Sequence, residues 1–215
     1  MNRLLKAIVG FVLLSPIVAN ADIIDIDASN SGWYRGPGFQ YNGAASNICT
    51  GCDANYRSWL GFDLSSVTDN IVSAELLVSS DFRNLSGQTI QWWDVTSDYG
   101  SLGNPYNAIE SLAAYTDLGT GTLFASGIHT AGTVNQFTLN AAALASLNSA
   151  TAGWALGGVN LANNNAFGYT QGVGSGDYIV LRITTSSIAV PEPGTLALLG
   201  VGLVGMGFAR RRKAA

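Results

Sequence analysis

The sequence predicts a mainly β fold, and three observations carry that reading. Glycine is abundant (26 of 215 residues), serine, threonine, asparagine and aromatics are common, and only 11% of the chain is charged, a profile that fits a β protein with many turns. Apolar residues recur at period two in several stretches bounded by turn-forming residues, the pattern of half-buried strands. Between two apolar ends lie about 170 residues, enough for one domain that buries roughly 70% of its unfolded surface.

Ile24 and Ile26 alternate with Asp25 and Asp27, giving a first strand with one apolar and one acidic face. Asp25 and Asp27 are weak calcium candidates. Calcium takes six to eight oxygen ligands, two carboxylates fall short, and no EF-hand loop follows; the other reading is an exposed strand face. Residues Gly32 to Asn55 are turn-rich, with Gly36-Pro37-Gly38 and Gly43 interrupting any long element. The next strand puts Tyr56, Leu60, Phe62 and Leu64 on one face and Arg57, Trp59 and Asp63 on the other, where Arg57 and Asp63 are placed to pair. After a turn at Ser65 to Asn70, Val72, Ala74, Leu76 and Val78 alternate again, and these two strands give the clearest core signal.

Thr89 to Val95 reads as a third strand, in which adjacent Trp92 and Trp93 point to opposite sides of a sheet. Trp59 and Trp92 are therefore candidate sugar-stacking residues, against the alternative that aromatics in a sandwich pack between its sheets. Ile109 to Tyr115 fits either a strand or a short helix. Thr122 to Thr130 and Thr133 to Leu139 read as a hairpin around Ala131-Gly132, and Asn140 is a good N-cap for one short helix, Ala141 to Leu147, with Leu144 and Leu147 facing inward. Gly153 to Asn160 and Asp177 to Thr184 are the closing strands.

Little in this body points to chemistry. Cys49-Thr50-Gly51-Cys52 holds both cysteines. In an exported chain a disulfide closing a tight loop is favoured over a redox pair, which needs a helix N-terminus, and over a zinc site, for which one distant His129 is not enough. His129 is the only histidine and no G-x-S-x-G elbow occurs in the body, so nucleophilic hydrolysis has no evident base. A glycosidase needs two carboxylates across a cleft, and no spacing marks such a pair. No catalytic residue, metal site or cofactor is expected. The leading class is a noncatalytic surface or matrix protein, with a carbohydrate-binding module and a secreted hydrolase as alternatives.

The two ends are different in kind. Arg3 and Lys6 precede an apolar segment from Ala7 to Val18, and Ala19-Asn20-Ala21 is an A-x-A cleavage site, so residues 1–21 read as a signal peptide removed before Asp22. With both ends set aside, residues 22–189 carry Arg35, Arg57, Arg83 and Arg182 against 13 carboxylates, a net charge of −9. That sign disfavours nucleic acid. At the other end, Val190-Pro191-Glu192-Pro193 leads into an uncharged run from Thr195 to Ala209 and then Arg210-Arg211-Arg212-Lys213. As a helix the run is roughly 22 Å long against a hydrocarbon core of about 30 Å, a marginal span. The basic cluster after it acts as a stop-transfer signal that stays on the cytoplasmic face. Gly200 to Gly205 has the spacing of a dinucleotide-binding loop but lacks the βαβ setting that loop needs.

Residues Val190 to Lys213 resemble the PEP-CTERM sorting signal of Gram-negative bacteria: Pro-Glu-Pro, a short apolar helix and an arginine-rich end. The resemblance implies recognition and cleavage by the membrane enzyme exosortase near Pro191, Glu192 and Pro193. Arg210, Arg211 and Arg212 then belong to the sorting signal, and the body is released to the outer surface or extracellular polysaccharide. The segments Tyr56 to Val67 and Ile71 to Leu76 resemble those of uncharacterised exported bacterial β-sandwich modules. That likeness continues more weakly through Trp93-Asp94-Val95, Tyr115 to Gly119 and Leu139 to Leu144, and implies a single jelly-roll-like β-sandwich with no assigned activity. The expected organisation is a signal helix (1–21), a sandwich with one short helix (22–185), a spacer (186–189) and a sorting signal (190–215) with its hydrophobic helix at about 195–209.

Overall fold

The alternation from Tyr56 becomes β2 (Tyr56–Asp63), and the one around Ala74 becomes β3 (Asn70–Ser79). The computed structural model describes residues 21–36, 48–52, 55–97, 100, 102–103, 108–162, 164–167, 178–186 and 202. Six further strands join the first two: β1 (Ala21–Arg35), β4 (Gln88–Asp94), β5 (Leu123–His129), β6 (Val134–Thr138), β7 (Gly153–Asn160) and β8 (Ile179–Ser186). Two helices, α1 (Ala108–Asp117) and α2 (Ala141–Ser149), complete the described elements. Asp22–Ser186 forms one compact unit, and the remaining residues form a second of which only Ala21 and Gly202 are described. The expected signal helix, and all of the expected hydrophobic helix except Gly202, lie outside the described residues.

The strands hydrogen-bond in the order β5-β4-β7-β2-β1-β8-β3-β6. This mainly β arrangement has two wings, β5-β4-β7-β2-β1 and β8-β3-β6. Leu60, Phe62, Trp92, Trp154 and Leu156 of the first meet Leu76, Val78, Phe137, Leu181 and Ile183 of the second in one apolar cluster. Aromatic rings interlock there: Trp92 stands edge-on to Phe137, and Phe124 stacks on Trp154 with centroids 5.9 Å apart.

Four expectations are corrected. The turn-rich stretch begins later than its glycines suggest, because β1 continues through Gly32, which pairs with Trp59, to Arg35. Val72 is not a core residue. The β3/β8 register shifts between Ile71 and Ser73, a bulge turns a side chain over, and Ile71 is buried while Val72 is exposed. The Thr122–Leu139 hairpin does not form, since β5 pairs with β4 and β6 with β3; separation into two wings lets Phe124 and Phe137 both enter the shared core. Arg57 and Asp63 do not pair: Arg57 Nη1 donates to the Tyr115 and Thr116 carbonyls at 2.7 and 3.0 Å, and Asp63 accepts from the Ser65 amide.

Residues 108–117, open between strand and helix in the sequence, are α1, a second helix. Ala114 and the following Leu118 close a second apolar cluster with Tyr34, Trp59, Leu102 and Ala155. Strand β2 is thus buried on both faces, with Leu60 and Phe62 turned into the sandwich and Trp59 turned under α1. Helix α2 starts as its cap predicts, with Asn140 Oδ1 accepting from the Ala143 amide at 3.0 Å and Leu147 buried. Asn148 ties this helix to β3 by bonding both the amide and the carbonyl of Ile71.

Gly157 and Gly158 of β7 let both clusters approach one strand. A Cβ on Gly157 would fall on the Leu118 backbone, and one on Gly158 would come within 2.7 Å of the Trp92 ring. Neighbours in a strand point to opposite faces, so the pair removes side chains where α1 and Trp92 each press on the backbone.

Candidate functional site

Trp59 and Trp92 are not sugar-stacking residues. Both are fully buried, Trp59 in the outer cluster under α1 and Trp92 in the inner one, so neither ring offers a face to a ligand. Trp33 on β1 and Trp93 on β4 are partly buried instead, and Trp33 sits beside a second ring. Its ring lies 4.6 Å from that of Tyr56, over which the Arg35 guanidinium sits at 5.7 Å.

Asp25 projects from β1 and pairs in bidentate fashion with Arg182 of β8, each bond 2.7 Å. The Arg182 hydrogen bond holds the Asp25 carboxyl below its usual pKa, and Asp25 raises that of Arg182. A carboxylate committed to a guanidinium is a poor calcium ligand, and Asp27 alone does not replace it. Among the described residues no three His, Cys, Asp or Glu side chains are grouped to hold a metal ion.

Cys49 and Cys52 form a disulfide, with Cα atoms 5.8 Å apart. The loop it closes leads through Asn55 into β2 and is fastened on both sides. Gly51 N–H donates to the Tyr56 carbonyl, Ala166 N–H donates to the Thr50 carbonyl, and the Thr50 and Ser58 hydroxyls are hydrogen-bonded to each other. Cys52 Sγ lies 3.1 Å from Asn165 Oδ1; a disulfide sulfur carries no proton, so this is a sulfur–oxygen contact. The bridge tightens the β1–β2 connection, and the Ala166–Thr50 bond and the Cys52–Asn165 contact hold that connection against residues 165 and 166 beyond β7.

His129, at the end of β5, has Ser80 Oγ 2.6 Å from Nε2 and the Leu85 carbonyl 2.9 Å from Nδ1. A carbonyl only accepts, so Nδ1 carries the proton and Nε2 accepts from the Ser80 hydroxyl. Asn84 Nδ2 donates to the same hydroxyl at 3.0 Å. The relative placement is that of a nucleophile and its base, but the imidazole is fully buried, edge-on to Phe167, and Ser80 is only 7% exposed. Here the group works as a clasp joining the end of β3, the 80–87 connection and β5. Burial lowers the His129 pKa despite the opposing effect of the Leu85 bond, so the ring is held neutral. No local signal marks this cluster, since Ser80 and Asn84 lie far from His129 in sequence.

A second set of polar contacts holds α1 to the sheet. Arg57 reaches the last carbonyls of the helix, where a cation is favoured by the exposed carbonyl dipoles, and lies over the Tyr115 ring at 4.3 Å. Asp117 accepts from the Thr96 and Ser97 amides and the Thr96 hydroxyl. Burial works to raise its pKa, but the Ser97 and Thr96 bonds together outweigh it and leave the carboxyl lowered. Tyr34 donates its hydroxyl to the Leu102 carbonyl at 2.6 Å, and burial pushes its pKa up to about 12.

Within the body, these polar clusters hold elements together. The features that direct the protein lie in the C-terminal run. In the sequence the β-built body is followed by Pro-Glu-Pro, an apolar stretch and a basic end. A sequence profile of the PEP-CTERM protein-sorting motif matches residues 189–213. The chain carries that motif, which marks an exosortase-sorted exported protein, associated transiently with the membrane and delivered to the cell envelope or outer surface. The motif residues Pro191, Glu192, Pro193, Arg210, Arg211 and Arg212 lie outside the described residues, and among the described residues no helix is long and apolar enough to cross a membrane.

No curated protein sequence matches the chain. Among solved structures, it is similar to the K1 cleaved adhesin domain of Lys-gingipain from Porphyromonas gingivalis W83, at 13% identity, 79% coverage of this chain, 98% of that chain and a TM-score of 0.25. A TM-score that low carries no argument about this chain.

Proposed function

We propose that the chain is a noncatalytic surface or matrix protein of a Gram-negative bacterium. Residues 1–21 direct export, residues 22–185 form the passenger, residues 186–189 are a spacer, and residues 190–215 are the sorting signal. The hydrophobic helix at about 195–209 holds the protein in the inner membrane until exosortase cuts near Pro191-Glu192-Pro193. The released body then associates with extracellular polysaccharide. The motif match over residues 189–213 is the observation that carries this reading.

Two features of the body support the noncatalytic part. The one histidine is enclosed with its serine partner, and five of the described carboxylates, Asp25, Asp63, Asp81, Asp94 and Asp117, are each engaged by neighbouring donors. For polysaccharide contact, the Trp33–Tyr56 ring pair with Arg35 replaces the buried tryptophans as the place where a sugar ring could stack. Deletion of Val190 to Ala215 tests the reading. The expected result is loss of delivery to the outer surface and a changed site of accumulation; unaltered location and processed mass would contradict it. Co-sedimentation of the exported protein with the cells' own polysaccharide tests the final step, with weaker binding expected from Tyr56→Ala.

A further inference from the structure

The strand ladders give the sandwich two unlike ends. At one, β3 passes to β4 through residues 80–87, β5 passes to β6 through residues 130–133, and β7 runs out at Leu161. These connections share one end, because Ser80 is bonded to His129, Ser80 N–H donates to the Thr133 carbonyl, and Leu161 N–H donates to the Thr89 carbonyl. At the other end the chain leaves the body: β8 finishes at Ser186 beside Asn70, where β3 begins. Strand β1 starts there too, since it runs toward Arg35, whose partner Tyr56 lies at the connection end of β2.

Exposed apolar side chains are not shared evenly between these ends. Nine large hydrophobic residues are exposed among the described residues, and six of them, Phe82, Leu85, Ile128, Val134, Leu161 and Tyr178, lie at the connection end. Phe82 is 80% exposed and Ile128 63%. Charge is divided the other way. Asp22, Asp25 and Asp27 on the first half of β1, Asp63 and Asp69 between β2 and β3, Asp94 at the end of β4 and Asp117 at the end of α1 all lie toward the exit end. Among the described residues, Asp81 is the one carboxylate at the connection end, and Arg83 neutralises it at 2.9 Å.

We propose that the connection end is a self-association surface, through which two copies of the exported protein meet end to end. Clustered exposed apolar side chains mark interaction sites, and the charge distribution selects the occupant. The body carries a net charge of −9, so two copies repel through most orientations, and contact through the end where Asp81, already paired with Arg83, is the one described carboxylate keeps the other described acidic groups farthest apart. That contact also leaves both chain exits clear of the interface. It is an isologous arrangement, which closes as a dimer. The inference goes beyond the sorting reading and stands whichever compartment receives the protein.

A sedimentation-velocity concentration series on the exported, processed protein tests it. The wild type is expected to dimerise as concentration rises, with little weakening in high salt, because the contact is apolar rather than ionic. Phe82→Asp combined with Leu161→Asp changes two exposed side chains, and circular dichroism checks that the fold is kept. This variant should need at least about tenfold more protein for the same dimer fraction. Ile23→Asp, at the exit end, should behave as wild type. A wild type that stays monomeric throughout, or a double variant that dimerises as well as wild type, overturns the proposal. So does a monomeric wild type whose polysaccharide binding is lost in the double variant, which would assign this end to sugar.

Discussion

The two apolar clusters on either side of the first wing are built by different means. The inner one is large and aromatic, drawing Phe62, Trp92, Phe124, Phe137 and Trp154 from both wings and Phe167 from the stretch after β7. The outer one is small, centred on Trp59 under α1, and is rimmed by polar clasps: Arg57 on the helix carbonyls, Asp117 on Thr96 and Ser97, and Tyr34 on Leu102. Buried area does not care about direction, whereas a hydrogen bond does. Apolar packing therefore joins the two wings, and directional bonds fix where a single helix lies on a face that would otherwise be wet.

Substitutions can break that contrast in graded steps. Trp92→Ala should have the largest effect, about 3 to 5 kcal/mol of stability, as a large cavity opens in the inner cluster; denaturant unfolding of the exported protein measures it. Gly157→Ala comes next, at about 1 to 3 kcal/mol, because its methyl group meets the Leu118 backbone. Hydrogen exchange should then speed up in α1 while β3, β7 and β8 stay protected. Equal loss of protection in both clusters would show that they are not separate.

A smaller effect is expected from the His129 clasp, and it depends on pH. The folded-state pKa lies below the ordinary 6.5. As pH falls, the unfolded chain takes up the proton first, so stability declines from about pH 6.5 down to the folded-state pKa. His129→Gln should remove that slope and leave the profile above neutral pH flat as before; thermal melts from pH 5 to 8 read both. The smallest effect belongs to Asp25→Asn. Its partner Arg182 is a surface group, exposed ion pairs contribute little, and any change in melting should vanish in high salt.

The inner cluster was legible in the sequence because its signal is local. Period two in β2 and at Ala74, Leu76 and Val78 sets the buried face, and Asn140 announces α2 through its own side chain. The outer cluster was not. Trp59 lies on the face that alternation marks as wet, and what covers it is a helix some fifty positions away whose own pattern fits strand or helix. The β5–β6 hairpin failed for a related reason: sequence proximity favours pairing, but two strands with apolar faces bury more in separate wings. The bulge that exposes Val72 and the meeting of Ser80 with His129 depend on register and on long-range closure, which leave no local mark. The sorting motif was the most readable feature of all, since its Pro-Glu-Pro, apolar run and basic end follow one another directly in the sequence.

Intact mass of the protein recovered from outside the cells tests the central claim most directly. The account predicts a chain that starts at Asp22, ends near Pro191-Glu192-Pro193 and lacks Arg210 to Lys213. A product that still carries those four basic residues would contradict it.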